Sequence, residues 1–253
     1  MTYHLRLDFI LSVCAIILVA MGFVGIPADD AAQAEDHSMS SMTVNYQVNG
    51  TSRIEGGMYL TMLGFCYRLT TAVTPKSGDP YSIEASSCQE WGDTSGGCDS
   101  GVGEICNNQH WGPVLAMAVQ SSLGLVIFKF LIAFIRCCTE VARARRAGDG
   151  ARARNCCLSS SNSLASASLT VLLLGVLLVY GTQCYVGDDA KAFVVAYPAL
   201  KMLASASSFD PSFGPAFFTL ASAAFISAAS TFTSILADRA ARASNELSLP
   251  LNR

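Results

Sequence analysis

Ten of the 253 residues are cysteines, and their spacing sorts them by the chemistry open to them. Cys66, Cys88, Cys98 and Cys106 share one polar, acidic stretch, and Cys184 opens a second one far downstream. In an oxidising compartment these five are disulfide candidates. The preferred pair is Cys88 with Cys98, while Cys66 is left to Cys106 or Cys184, because spacing alone does not decide connectivity. Cys137-Cys138 and Cys156-Cys157 are adjacent thiols beside arginines, a setting for reversible S-palmitoylation at an inner membrane surface. Asn49-Gly50-Thr51 is the chain's N-glycosylation sequon. Cys98, Cys106 and His110 are weighed as zinc ligands and set aside, since structural zinc sites are built from close Cys-x₂-Cys pairs. No H-E-x-x-H, P-loop or G-x-S-x-G is present. Gly92-Asp93-Thr94-Ser95-Gly96-Gly97 has the wrong spacing for a serine-protease nucleophile. The residues therefore predict neither an enzyme nor a cofactor.

These side chains must be positioned by elements that lie in a membrane. Apolar residues make up 51% of the chain and charged residues 14%. A soluble domain needs roughly 25% charged residues to face water. Four apolar runs are long enough to cross a bilayer as helices: Leu7 to Ile26, Pro113 to Ile135, Leu164 to Tyr180 and Phe213 to Leu236. Arg136, Arg143, Arg145, Arg146, Arg152 and Arg154 crowd the connection between the second and third, which places it in the cytosol. The chain map is then a cytosolic N-terminus (1–6), a first span (7–27), a large extracellular loop (28–111), a second span (112–136) and a basic cytosolic loop (137–163). A third span (164–183), a second extracellular loop (184–212), a fourth span (213–237) and a cytosolic tail (238–253) complete it. The 28–111 segment carries eleven acidic residues against Arg53, Arg68 and Lys76, which agrees with an outer location. The first run reads as a retained span; Ala32-Gln33-Ala34 offers the competing reading of a signal-peptide cleavage site.

The expected fold is a membrane all-α four-helix bundle with a small β-rich extracellular loop domain. Met42 to Val48 alternates apolar and polar residues as a half-buried strand does. Asn49-Gly50 suits a tight hairpin turn, with Thr51 to Glu55 as the returning strand. Met58 to Leu69 is a second strand region with Gly64 as a bulge, and Ser95 to Gly103 reads as loop. Trp91 is the candidate contact residue of the loop, packing beneath it the competing role.

Two polar residues interrupt the spans. Lys129 is a full charge about two turns from the inner end of the second, close enough for its stem to snorkel to the headgroups. Gln120, at mid-membrane, is expected to bond a neighbouring helix. Together they define an alternative reading as a transport or channel component. Ala224, Ser227, Ala228, Thr231 and Ser234 form a small-residue face on the fourth span, suited to tight packing or homo-oligomer formation. Asp8 stands at the edge of the first span. With a net charge of −3 and no basic patch outside the inner loop, nucleic acid is not an expected partner. The expected partners are the lipid bilayer and a cell-surface or extracellular protein.

Four spans with a large cysteine-bearing first loop and internal termini are similar to the layout of claudins and of fungal Sur7-type proteins. The sequence most resembles the amastins, four-span surface glycoproteins of trypanosomatids. Phe23-Val24-Gly25-Ile26-Pro27-Ala28-Asp29 at the end of the first span carries the likeness. So do Cys88-Gln89-Glu90-Trp91-Gly92 through Cys98, the cysteines at the inner end of the second span, and Cys184. The resemblance implies a non-catalytic plasma-membrane protein of cell contact or surface homeostasis, with a claudin-like sheet over the bundle.

Overall fold

The computed structural model describes residues 2–24, 31–48, 52–75, 79–91, 103–145, 152–185, 187 and 208–247. Asn49, Cys98, the Gly92–Gly97 run and residues 25–29 lie outside them. So do the side chains of Cys137, Cys156 and Cys157, whose backbones are helical. The elements are α1 (Thr2–Val24), α2 (Ala31–His37), β1 (Ser40–Val48), β2 (Ser52–Leu60), β3 (Gly64–Val73) and β4 (Tyr81–Glu90). Then follow α3 (Gly103–Arg145), α4 (Arg152–Val179) with a π-helical turn Tyr180–Cys184, β5 (Ser208–Phe213) and α5 (Pro215–Leu247).

Four of the helices are long and apolar enough to cross a membrane: Arg6–Phe23, Cys106–Arg136, Ser161–Cys184 and Pro215–Leu236. Their outward residues include Phe225 at 77% exposure and Leu164 and Val171 at 70% each. Such side chains, repeated along every span, are stable against lipid rather than water, and the chain is a multi-pass membrane protein. The helices outrun the apolar spans. α3 starts at Gly103, ten residues ahead of Pro113, and takes in a stretch expected as loop.

Contacts divide the chain into two units. One holds residues 1–20, 120–175 and 221–253; the other holds 21–119 and 176–220. The first unit is helical throughout its described residues. Its interior is lined by Ala15, Val19, Val126, Leu169 and Leu173, and Phe9 of α1 meets Phe130 of α3 at 5.4 Å.

The second unit contains a five-stranded antiparallel sheet in the order β4-β3-β2-β1-β5. β1 and β2 pair from Ser40↔Leu60 to Val48↔Ser52, so the expected hairpin at Asn49-Gly50 has its flanking strands in place. β2 runs further than expected, and the single region Met58 to Leu69 is cut by a turn at Thr61–Leu63. Gly64 is the first residue of β3 and not a bulge. Thr61 Oγ1 accepts from its N–H at 3.1 Å and closes the turn.

One face of the sheet is apolar, built from Met42, Val44, Ile54, Met58, Leu60 and Leu69, all buried. The opposite face is covered by α2, where Ala31 and Ala34 pack on Cys66 with Tyr59 and Cys88 beside them. Two glycines of this unit lie against backbone just outside the strands. A Cβ on Gly112 of α3 would stand 2.0 Å from the Met62 carbonyl oxygen, and one on Gly214 would stand 2.3 Å from that of Ser38.

Candidate functional site

Two constellations stand out, one in each unit. In the helical unit, each long helix sends polar side chains inward. Asp8 and Ser12 come from α1, Lys129 and Ser122 from α3, Asn162 and Ser166 from α4, and Ser227, Ser230 and Ser234 from α5. All are buried, Lys129 completely. The Lys129 ammonium donates to Ser230 Oγ at 2.6 Å and lies 4.0 Å from Asp8 Oδ1. Ser230 Oγ in turn donates to Asp8 Oδ1. Asn162 Nδ2 donates to Asp8 Oδ2 at 2.8 Å and to Ser234 Oγ at 3.1 Å.

Lys129 therefore does not snorkel to the headgroups. It occupies the inward face of α3, and the Asp8 carboxylate neutralises it there. An ammonium in hydrocarbon is tolerated when a carboxylate and hydroxyls replace its hydration shell. The signal was present in the sequence: Asp8, Lys129, Asn162 and Ser234 each lie near the same end of their spans. Asn162 Oδ1, Ser163 Oγ, Ser166 Oγ and Ser227 Oγ are buried and make no hydrogen bond with the protein.

Gln120 has the opposite fate. Nine residues at 100° each put it half a revolution from Lys129 on α3, and it is exposed. Among the described residues it makes no bond to a neighbouring helix, and it stands on the opposite side of α3 from the buried Lys129. The small-residue face of α5 is largely used within the chain, since Ala224, Ser227 and Ser234 are buried while Ala228 is exposed.

The second constellation is the sheet and its crosslink. Cys66 and Cys88 form a disulfide across β3 and β4. This corrects the expected Cys88–Cys98 pair. The two residues are directly opposite in register, with Cα atoms 4.0 Å apart, within reach of a single S–S bridge once β4 pairs with β3. β4 was missed because its sequence, Tyr-Ser-Ile-Glu-Ala-Ser-Ser, is a two-sided exposed edge without a buried stripe. Cys106 is disulfide-bonded as well, which removes a thiolate from the discarded zinc set. Among the described residues no group of three or more His, Cys, Asp or Glu side chains is placed to hold a metal ion.

Cys184 is not a disulfide partner. It is a free thiol buried in the π-helical turn, where its carbonyl accepts from Asn108 Nδ2 at 2.8 Å. Cys138, a palmitoylation candidate, is free and exposed.

Trp91 is core rather than contact surface. It is 2% exposed, its ring lies 5.5 Å from that of Phe65, and its indole N–H donates to the Thr61 carbonyl at 3.2 Å. Its backbone N–H donates to Leu63 O at 3.0 Å, so one residue closes the β2–β3 turn from two directions. Tyr59, beneath α2, has its phenol pKa raised by burial first and by the neighbouring Glu35 carboxylate second.

β5 brings the region downstream of α4 into the same assembly. It pairs with β1 from Ser40↔Phe213 to Asn45↔Ser208, and Tyr185, Phe213 and Phe217 stack at 4.3 and 4.1 Å. Ser40 Oγ and Tyr180 OH share a hydrogen bond of 2.7 Å. The exposed charges of the sheet pair locally, Arg53 with Glu55 and Arg68 with Glu84. No protein-family model matches the chain, and the search of curated proteins finds no match.

Proposed function

We propose that this is a non-catalytic, amastin-like surface membrane protein of claudin-like build, which acts through its sheet in cell-surface contact or surface homeostasis. The observation that carries the reading is that both connections, 28–111 and 184–212, contribute strands to one disulfide-closed sheet. Such a rigid platform serves recognition. In this reading the sheet is extracytosolic, Asn49 between β1 and β2 carries a glycan, and Cys137, Cys138, Cys156 and Cys157 are acylated at the inner surface of the plasma membrane. The test is gel mobility with and without N-glycosidase, compared with Asn49→Gln, together with labelling by a membrane-impermeant maleimide. A glycosidase shift abolished by Asn49→Gln supports the reading; external labelling of Cys138 overturns it.

The buried centre favours a second reading, a transport component, because its four orphaned polar atoms would hold water. That reading now rests on Asp8, Lys129 and Asn162, without Gln120. It requires an ion or solute flux in vesicles that Lys129→Met abolishes while the fold survives.

A further inference from the structure

The buried centre of the helical unit contains a chain of hydrogen bonds whose direction is set by chemistry. An ammonium has only N–H donors, and a carboxylate has only lone pairs. Ser230 Oγ bonds both, so it accepts from Lys129 and donates its own proton to Asp8. The three groups come from α3, α5 and α1, so the chain exists only in the assembled bundle. Asp8 Oδ1 lies 4.0 Å from the ammonium, outside direct hydrogen-bond reach, which makes Ser230 the link between the two charges.

Next to this chain lie oxygens that make no hydrogen bond with the protein. Asn162 holds Asp8 Oδ2 through its Nδ2, which leaves its Oδ1 beside the carboxylate and unpartnered. Asn162 also bonds Ser234, so the two stand level, on spans that run in opposite directions. Ser166, one turn along α4, and Ser227, one turn along α5 from Ser230, therefore continue the same inward strip toward the middle of the bilayer. Both are fully buried and both hydroxyls are unpartnered. Among the described residues of this unit no other ionisable side chain is buried. Arg6, Cys138 and Arg239 are exposed, and Cys14 and Arg136 are half-buried.

We infer that this centre is a proton-binding site, with Asp8 as the acceptor and Ser230 as the relay that joins it to Lys129. In the transfer a Lys129 N–H bond breaks as Ser230 Oγ takes that proton. The original Ser230 O–H bond breaks as its proton bonds to Asp8 Oδ1. The serine is unchanged, the ammonium becomes an amine and the carboxylate an acid, with no electron transferred. The amine then takes a proton from water through the strip of unpartnered hydroxyls, so the loaded centre carries one proton more. Burial brings the neutral forms within reach, and chains of polar side chains between helices serve as proton relays in membranes. An alkali cation fits less well, because the Lys129 ammonium already stands beside the carboxylate. The inference goes beyond both readings of the function: the centre loads a proton whether or not that proton crosses the membrane.

The test is infrared difference spectroscopy of full-length protein in phosphatidylcholine vesicles, as the buffer is stepped from alkaline to acid and back. The expected result is one carboxylic-acid carbonyl band of a water-poor site that appears and disappears reversibly. It shifts on isotope labelling of aspartate and is absent from the double variant Asp8→Asn, Lys129→Met. Ser230→Ala leaves both ionisable groups in place and slows the band's appearance after a rapid acid jump about 100-fold, the scale of losing a positioned proton-transfer group. Ser230→Thr restores the hydroxyl and most of the rate, and thermal unfolding reports the fold of each variant. An absent band, a band kept in the double variant, or an unchanged rate in folded Ser230→Ala overturns the inference. Proton flux, read by an entrapped pH dye, separates this site from the transport reading. Loading without flux keeps the site and removes that reading, while an alkali-ion or solute flux without loading removes the site and keeps it.

Discussion

Replacing Lys129 with methionine keeps the length of the side chain and removes its charge, leaving Asp8 buried with Ser230 and Asn162 as its partners. Breaking one side of a buried ion pair costs about 3–5 kcal/mol, most of it the uncompensated charge left behind. Asp8→Asn leaves the ammonium unneutralised and belongs in the same range. The double variant Asp8→Asn, Lys129→Met removes both charges and keeps the polar contacts of residue 8. It is expected to recover most of the loss and to sit within about 1–2 kcal/mol of the parent, because a neutral replacement of a buried pair is often close to neutral in stability. The coupling energy is then about 4 kcal/mol or more, well beyond the average of about 0.6 kcal/mol for interhelical hydrogen bonds in lipid. The assay is reversible unfolding in mixed micelles, followed by circular dichroism, on all four proteins. Additive single losses, or a Lys129→Met cost below about 1 kcal/mol, would refute the pairing and return Lys129 to the headgroups.

Three further outcomes follow from the sheet. Cys66→Ser is expected to cost about 3 kcal/mol of stability, from the 22-residue separation that the bridge closes, whereas Cys98→Ser leaves that bridge intact on a non-reducing peptide map. Trp91→Phe loses the indole bond to Thr61 and costs about 1 kcal/mol, while Trp91→Ala opens a cavity and costs about 3–5 kcal/mol, both read by thermal unfolding. Cys184 is expected to resist a membrane-impermeant maleimide in the folded protein and to react fully in denaturant; rapid labelling of native protein would contradict its burial.

The four helices were legible because a span must satisfy its own backbone bonds in lipid, which leaves a long apolar run as its signature. The first hairpin was legible for a similar local reason, since Met42 to Val48 alternates and Asn49-Gly50 marks the turn. What escaped depends on partners distant in sequence. β5 contains Ser208, Asp210, Pro211 and Ser212 and reads as loop; β1 makes it a strand. Pro211 is tolerated there because β5 is an edge. β4 escaped because neither of its faces is buried. The disulfide was misassigned because Cys88 and Cys98 are close in sequence, while register brings Cys66 opposite Cys88. Asp8 looked like an edge charge until α3, α4 and α5 closed around it.

The placement of β5 also sets an order of events. Ser41 and Ser212, hydrogen-bonded side chain to side chain, are 171 residues apart. At about 5–20 residues per second, roughly ten to thirty seconds of synthesis separate the first partner from the second. The β1–β4 meander and its Cys66–Cys88 bond can be completed early, yet throughout that interval β1 presents an unpaired edge. Open edges of this kind recruit other chains. A nascent chain stalled or truncated before residue 208 is therefore an oxidised but aggregation-prone species, and productive biogenesis depends on shielding one strand until the last span has been made.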